Sequence, residues 1–184
     1  MEGQHFVQSG ELLKLSEQQC VDCDTDSYGC NGGWQDNCMY YVQWNGGISL
    51  EADYPYTAKT DLCWAPYNGP VDVKEVYHVT SYVEEQLMAA IAKGPTSVTI
   101  DSSNAVFHQY VGGVISGDAC GTKLDHAVTA VGYGHDYLTG LDYYLVRNSW
   151  GSTWGDHGYV KIAREGDGYG VCGIQEISVW SLTN

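Results

Sequence analysis

The residues best suited to catalysis are a histidine and an asparagine at equal distances from a turn. His126 and Asn148 each lie eleven residues from Tyr137, in two short runs that flank a loop. A hairpin centred on Tyr137 would place His126 opposite Asn148, with their β-carbons about 5 Å apart. The amide oxygen could then accept one imidazole N–H and leave the other nitrogen free for proton transfer, while Trp150 shielded the bond from water. The pair therefore predicts the base and the orienting residue of a catalytic triad, or, on the residues alone, a polar surface pair.

Seven cysteines form the second group with possible chemistry. Cys20, Cys23, Cys30 and Cys38 lie within 19 positions and could close a tetrahedral zinc site. The seven residues between Cys30 and Cys38 do not match the second tight pair of a zinc ribbon or finger, so we favour disulfides and buried thiols. Cysteines spread over the whole chain also indicate an oxidising compartment. Because their number is odd, at least one has no partner in this sequence.

No phosphate-binding or cofactor-binding motif accompanies these residues. The glycine pairs at 32–33 and 112–113 lack the spacing of a dinucleotide loop, and no lysine stands where a phosphate loop needs one. The other histidines have no paired spacing with carboxylates or with each other, so we interpret them as structural or solvated. They are His5, His78, His108, His135 and His157. The sequence therefore predicts neither a cofactor nor a metal.

The charge balance argues against some classes of partner. Eight basic residues against 23 acidic ones give a formal net charge of -15 and a pI near 4.4. Phosphate backbones and anionic membranes would be repelled, so we expect neither nucleic acid nor a membrane as a partner. No run approaches the roughly 18 apolar residues that span a bilayer. The first residues do not resemble a secretory signal, so we expect any such signal to lie upstream.

The elements that must position the histidine and the asparagine change in type along the chain. Capping-box spacing at Ser16 and Ser81, and stops at Gly46 and Gly94, predict helices after residue 16, over 34–44 and over 84–93. Short β-branched or aromatic runs then predict strands over 97–101, 126–133, 143–148, 159–164 and 177–180. Helices followed by strands indicate an α+β protein with two lobes, over residues 1–77 and 78–184.

Eight short motifs, in one order along the chain, carry a family resemblance. They are Ser16-Glu17-Gln18, Asp22-Cys23-Asp24, Gly29-Cys30-Asn31-Gly32-Gly33, Tyr54-Pro55-Tyr56, Asp125-His126-Ala127-Val128, Val131-Gly132-Tyr133-Gly134, Asn148-Ser149-Trp150-Gly151 and Trp154-Gly155. In order and spacing they resemble the papain family of cysteine proteases in its cathepsin L-like form. The resemblance extends from Met1 to Asn184.

The resemblance implies a papain-like fold, in which a helical lobe and an antiparallel β-barrel-like lobe face each other across an active-site cleft. His126 would be the general base and acid, and Asn148 would orient it. The backbone of Gly33 would pair with an extended peptide. The substrate-binding residues implied in this way are Gly32, Gly33, Trp34, Gln35, Thr99, Leu124, Asp125, Trp150 and Ile177.

The same resemblance implies a substrate preference. Five of these residues would line the pocket for the side chain two positions before the scissile bond: Trp34, Gln35, Thr99, Leu124 and Ile177. Ile177 would form the pocket floor and offers no charge to an arginine, whose burial there would cost hydration without compensation. Bulky apolar side chains such as Leu, Val or Phe are therefore expected at this position.

The sequence departs from the family at its start. Family members carry an oxyanion-hole glutamine and a Cys-Gly-Ser-Cys-Trp motif, which contains the nucleophilic cysteine, upstream of the stretch that resembles residues 1–4. This segment is not in the sequence, so we expect a truncated chain that lacks the nucleophile and is inactive alone. The first cysteine of the motif normally bonds the residue that resembles Cys30, which would explain the odd cysteine count.

The family pattern also implies two disulfides within the chain, Cys23–Cys63 and Cys120–Cys172. They would close loops of 40 and 52 residues, each worth about 4 kcal/mol in the chain-entropy model. Cys20 and Cys38 are additional to this pattern, and we expect buried thiols in preference to a further bridge between them.

The implied function is that of a cysteine-type endopeptidase of a lysosomal, endosomal or secreted compartment. The expected partners are peptide or protein substrates and a propeptide or a cystatin-like inhibitor, and the expected state is a monomer. One alternative is a non-catalytic papain-like binding or scaffold protein that has lost its nucleophile segment. Another is a zinc-binding protein built on the four clustered cysteines.

Overall fold

Residues 1–184, all described by the computed structural model, group into two units. The first unit contains Met1–Tyr77 and Ser181–Asn184, and the second contains His78–Trp180. The sequence had assigned the last four residues to the second lobe. They group with the first unit, where the Asn184 carbonyl accepts the His5 ring N–H at 2.6 Å. The Asn184 side chain also accepts the backbone N–H of Asp72 at 3.0 Å.

Three helices shape the first unit: α1 (Glu2–Ser9), α2 (Glu17–Cys23) and α3 (Gln35–Asn45). Ser16 caps α2 as predicted, because its hydroxyl oxygen accepts the backbone N–H of Gln19 at 3.0 Å. α1 was not predicted. None of the helices in the chain is both long and apolar enough to cross a membrane.

Apolar side chains fill only a small part of the first unit's interior. Its buried apolar cluster contains Leu15, Val42, Ile48, Val71 and Val73. Polar side chains are buried beside it and bind the backbone. Gln19 donates to the Tyr41 hydroxyl at 3.0 Å and accepts the Ser49 N–H at 2.8 Å, and Asn45 donates to the Gly47 carbonyl at 2.8 Å. These bonds satisfy groups that would be costly to bury alone.

The remaining elements follow in chain order. They are β1 (Val73–His78), α4 (Glu84–Lys93), β2 (Thr96–Ile100), α5 (Ala105–His108), β3 (Val114–Ile115), β4 (His126–Asp136), β5 (Leu141–Arg147), β6 (Tyr159–Ala163) and β7 (Ser178–Thr183). Within the second unit the strand order is β7-β2-β4-β5-β6-β3. All neighbours are antiparallel except β3 and β6, which are parallel. The α+β class predicted from the sequence is confirmed.

α4 has the predicted bounds but not the predicted cap. Its N-cap residue is Val83, which makes no side-chain cap, and the first N–H of the helix instead donates to Asp167 at 3.0 Å. The Ser81 capping box is therefore wrong, since a carboxylate distant in sequence binds that N–H. The apolar face of α4, with Leu87 and Ile91, joins a cluster of 17 buried apolar residues that fills the second unit.

Candidate active site

His126 is the first residue of β4, and Asn148 directly follows the last residue of β5. The two strands form a hairpin, but its turn is not centred on Tyr137. Asp136 pairs with Leu141, which moves the centre beyond Tyr137. The turn is held by the Asp136 carboxylate, which accepts two backbone N–H groups of the loop at 3.1 and 3.0 Å.

A bulge changes the register a second time. Val131 has no partner in the ladder, and beyond it Thr129 pairs with Arg147. Continuing that register, Asn148 is level with position 128 and diagonal to His126. The predicted opposite placement of His126 and Asn148 is therefore wrong, because the turn centre and the bulge both shift the pairing.

The two side chains nevertheless lie within hydrogen-bond distance, since diagonal neighbours on a strand pair can still touch. His126 Nε2 and Asn148 Oδ1 are 2.8 Å apart. Asn148 is 7% exposed, and its Oδ1 also accepts the N–H of Ser149 at 2.8 Å. Because this atom accepts a backbone N–H, it is the amide oxygen and not the amide nitrogen, so it can only accept from the imidazole. His126 Nε2 therefore donates, and Nδ1 is left free.

Aromatic rings surround the imidazole of His126. Trp150 stacks on it with ring centroids 5.3 Å apart and an interplanar angle of 28°. The fully buried Phe107 lies nearly perpendicular to it at a centroid distance of 6.3 Å and also contacts Trp150 at 5.5 Å. Aromatic faces are favourable neighbours for an imidazolium, so this environment suits a histidine that carries a proton during part of a reaction.

Asp125 fixes the chain immediately before His126. Its carboxylate accepts both the backbone N–H and the hydroxyl of Ser102, at 2.8 and 3.0 Å. Its own N–H donates to the carbonyl of Ile100 at 3.0 Å, and Ile100 is the residue that pairs with His126 across β2 and β4. The loop therefore enters β4 with its direction determined. Because Ser102 occupies one carboxylate oxygen, Asp125 presents only the other to a ligand.

Asp101, the residue directly after β2, binds the same loop. It is buried, and its carboxylate accepts the Ser103 hydroxyl at 2.7 Å and the Lys123 N–H at 3.0 Å. The hydrogen bond from Ser103 lowers the pKa of Asp101, and the backbone N–H of Lys123 acts in the same direction. The loop that leads to His126 is thus anchored by two neighbouring carboxylates.

The second-unit members of the predicted substrate pocket are Thr99, Leu124 and Ile177. Thr99 is buried on β2, and its N–H donates to the Ile177 carbonyl at 3.0 Å, so these two residues are neighbours. The side chains of Ile177 and Leu124 are half-buried. Leu124 lies against Gly173, where a β-carbon would come within 2.7 Å of it.

The first-unit members are Gly32, Gly33, Trp34 and Gln35. Gly32 and Gly33 are exposed, and the N–H and C=O of Gly33 make no hydrogen bond within the chain. A β-carbon at Gly33 would collide with the Ser27 side chain, which explains why glycine stands there. Trp34 is 50% exposed, and Gln35 begins α3. Gly33 therefore presents a backbone that another chain could pair with.

The cysteines form three disulfides. Two are the implied pairs, Cys23–Cys63 and Cys120–Cys172. The third joins Cys20 on α2 to Cys38 on α3, so the expectation that these are buried thiols is wrong. The packing of the two helices brings their α-carbons to 5.5 Å, within the range that a disulfide spans. Because these bonds consume three of the four clustered cysteines, the proposed zinc site is also wrong, and Cys30 is left free and exposed.

Sequence reasoning missed three residues around His126. Phe107 lies on the one-turn helix α5, too short for a periodic signal, although Asn104 caps it by accepting the Phe107 N–H at 3.1 Å. Ser102 carries no motif. His108 was interpreted as structural or solvated, yet its ring stacks on Trp150 at 5.0 Å. Only the cap residue before Phe107 could have drawn attention to this segment.

Comparison with known proteins gives one consistent result. The family model described as Papain family cysteine protease matches residues 1–182. Papaya proteinase 4 of Carica papaya is 46% identical over 187 residues, which cover 100% of this chain and 53% of the relative. Cathepsin L of Sarcophaga peregrina is 44% identical over 189 residues, which cover 97% of this chain and 53% of the relative. The chain thus spans about half the length of the curated relatives it matches.

Solved structures agree with this assignment. The structure of bromelain from Ananas comosus in complex with the E64 inhibitor superposes with a TM-score of 0.89 at 38% identity, covering 98% of this chain and 83% of that one. A ragweed pollen allergen, a cysteine protease in its proform, gives a TM-score of 0.93 at 38% identity, covering 100% of this chain and 56% of that one. The papain-like fold class implied by the sequence is confirmed.

Proposed function

The chain belongs to the papain family of cysteine proteases, and we propose that it carries the general base and the orienting residue of a cysteine endopeptidase. The observation that supports this most directly is the 2.8 Å separation between His126 Nε2 and Asn148 Oδ1. In this arrangement Asn148 orients the ring, and the free Nδ1 exchanges the proton with the nucleophile and the leaving group.

The reaction proceeds in two steps. A cysteine thiolate, paired with protonated His126, adds to the peptide carbonyl, and His126 gives its proton to the leaving amine as the C–N bond breaks. Water then attacks the thioester and transfers a proton to His126, which restores the ion pair and releases the acid. Trp150 stabilises the imidazolium through its stacked ring face, and Phe107 packs against both rings.

The thiol is the part of this reaction that the 184 residues do not supply. Six of the seven cysteines are in disulfides, and the family resemblance assigns Cys30 to a structural disulfide rather than to catalysis. We therefore assign the nucleophile to a segment outside residues 1–184. We call the longer protein that includes this segment the thiol-bearing protein. The 184-residue chain alone is then inactive.

Hydrolysis of a fluorogenic peptide tests the proposal. We expect turnover by the thiol-bearing protein, inhibition by E-64 and no turnover by residues 1–184 alone. His126→Ala should lower kcat/KM at least about a thousandfold, because the base and the acid are lost together. Asn148→Ala should retain measurable activity, since it removes only the orienting bond. His135→Ala is the matched control, because His135 lies on β4 and instead contacts Asp142.

Turnover that is unaffected by His126→Ala would refute the proposal. Binding of peptides without turnover by the thiol-bearing protein would instead support the alternative of a non-catalytic binding or scaffold protein. The exposed backbone of Gly33 favours binding of an extended peptide in either case.

The proposed substrate preference rests on the pocket residues. Thr99 is buried beside the half-buried Ile177, and neither of these pocket residues carries a charge. Trp34 adds exposed aromatic area on the first unit. We expect peptides with Leu or Phe two residues before the scissile bond to be cut at least about tenfold faster than the Arg peptide near pH 5.5, because an unpaired guanidinium loses its hydration. Equal rates on the Leu and Arg peptides would show that Ile177 is not at the pocket floor.

Partners and compartment follow from the same assignment. Three disulfides support an oxidising environment, either secreted or endolysosomal. A related protease is known in its proform and another in complex with E64. We propose that this protein too has a propeptide or binds a cystatin-like inhibitor, and that it acts as a monomer.

A further inference from the structure

The indole ring of Trp150 contacts two imidazoles, those of His126 and His108. His108 stacks on the same indole with centroids 5.0 Å apart and an interplanar angle of 23°. Since spacings of 5.3 and 5.0 Å connect the two imidazoles through Trp150, they lie at most about 10 Å apart. His108 ends α5, its side chain is exposed, and its carbonyl accepts the indole N–H of Trp154 at 3.2 Å. The ring is therefore fixed in position and open to solvent.

The strand order decides which part of a peptide passes His108. β4 begins with His126 and lies between β2 and β5. Thr99, on β2, and Ile177 are on one side of β4, whereas Trp150 follows β5 on the other side. This inference rests on the proposed function, in which the β2 side of β4 receives the acyl part of the substrate. The leaving part then runs past Trp150 towards His108. An extended peptide advances about 3.3 Å per residue, so the first three residues after the scissile bond are within reach of His108.

No ionisable side chain of the adjoining segments forms an ion pair or a hydrogen bond with the His108 ring. Asp125 is bound by Ser102, Asp156 faces His157 at 4.0 Å, and His126 is the catalytic group itself. The ring nitrogens of His108 have no hydrogen-bond or ion-pair partner within the chain. They are therefore available to a ligand.

We infer that His108 determines specificity by binding a carboxylate in the leaving part of the substrate. The carboxylate comes either from an acidic side chain or from the free C-terminus of a peptide. A protonated imidazole would donate a charged N–H to it while the Trp150 face supports the cation. The net charge of -15 disfavours acidic peptides in general, so a preference of this kind must be local.

The test compares matched peptides on the thiol-bearing protein. Quenched peptides carry Glu or Gln at the first, second or third position after the scissile bond, and a further pair ends in a free or an amidated carboxyl group. The ratio of kcat/KM within each pair cancels the pH dependence of the catalytic groups. Because histidines change charge between pH 5 and 8, we expect the ratio at pH 5.5 to exceed that at pH 8.0 about threefold. The pair that shows this effect identifies the source of the carboxylate.

Two variants and one control make the result specific to His108. In His108→Gln the ratio should not change with pH, and in His108→Lys it should stay high at both pH values. His135→Gln should behave as the wild type. An acidic preference that persists unchanged in His108→Gln, or its absence at every position in the wild type, would overturn the inference. Cleavage that does not depend on His126 would refute the proposed function itself, and the inference with it.

Discussion

Buried apolar side chains are few in the first unit and dominate the second. Five form the cluster of the first unit and 17 that of the second, a larger difference than that between 81 and 103 residues in the two units. The first unit instead has two disulfides and buried side chains such as Gln18 and Gln19 that bind the backbone. The second has one disulfide. A small unit with little apolar area to bury can thus be stabilised by cross-links and buried hydrogen bonds.

The largest expected difference between the units follows removal of a disulfide. In the chain-entropy model the Cys23–Cys63 and Cys120–Cys172 bonds each contribute about 4 kcal/mol. Replacing both cysteines of the first pair by serine should unfold the first unit, whereas the second unit should survive loss of its own pair because its apolar core remains. Hydrogen exchange measured by mass spectrometry resolves the two units. Equal loss of protection in both double variants would contradict the comparison.

Truncation of a buried isoleucine should have the next largest effect. Ile162 in the second unit and Ile48 in the first are both essentially inaccessible to solvent. Ile162→Ala should cost about 4 kcal/mol of unfolding free energy and Ile48→Ala about 2 kcal/mol, because the smaller cluster can collapse around the cavity more easily. Urea denaturation measures both values. A larger loss for Ile48→Ala would show that the small cluster is the more rigidly packed.

Loss of a buried amide side chain should lower the unfolding free energy of the first unit. Gln19→Leu leaves the buried N–H of Ser49 without an acceptor and should cost about 1–3 kcal/mol. The control is Gln43→Leu, because Gln43 is exposed and water can replace its bond to the Lys74 carbonyl. Urea denaturation measures the stability of both variants. An equal loss of stability in the two would contradict this prediction.

The smallest expected effect concerns acid stability in the second unit. The hydrogen bond from Lys161 lowers the pKa of Asp136 to about 2, with help from the backbone N–H of Thr139. A depressed carboxyl pKa stabilises the fold fully above its ordinary value near 4 and progressively less as the pH falls to 2. The stability difference between wild type and Asp136→Asn should therefore be constant above about pH 4 and shrink towards pH 2. An exposed control, Asp53→Asn, should show a smaller difference throughout that range.

Local signals predicted the elements better than they predicted the pairing. The bounds of α4 could be read from its apolar face and its glycine stop. The register of β4 and β5 could not be predicted, because residue pairs can be assigned only once the position of the turn is known. Val131 has the residue type of an ordinary strand position, so the sequence does not show that it is unpaired. The proximity of His126 and Asn148 survived that error because a diagonal pair can also meet.

Residues that act through tertiary contacts were outside the reach of sequence reasoning. Cys20 and Cys38 pair because two helices cross at that point, and no spacing rule contains this information. The stacking of His108 on Trp150 depends on how α5 packs beside the loop after β5. The order of the motifs indicated the family, but it did not indicate which residues pack against each motif.

The bulge at Val131 separates the hairpin into two stretches with independent registers. Tyr137 and Leu138 at its tip are almost fully exposed, and the Asp136 carboxylate closes the turn locally. Changes at the tip are therefore absorbed before they reach Asn148, because the paired residues on the far side of the bulge keep their own alignment. The tip is accordingly a suitable place to open the chain for a circular permutation or to graft an affinity tag.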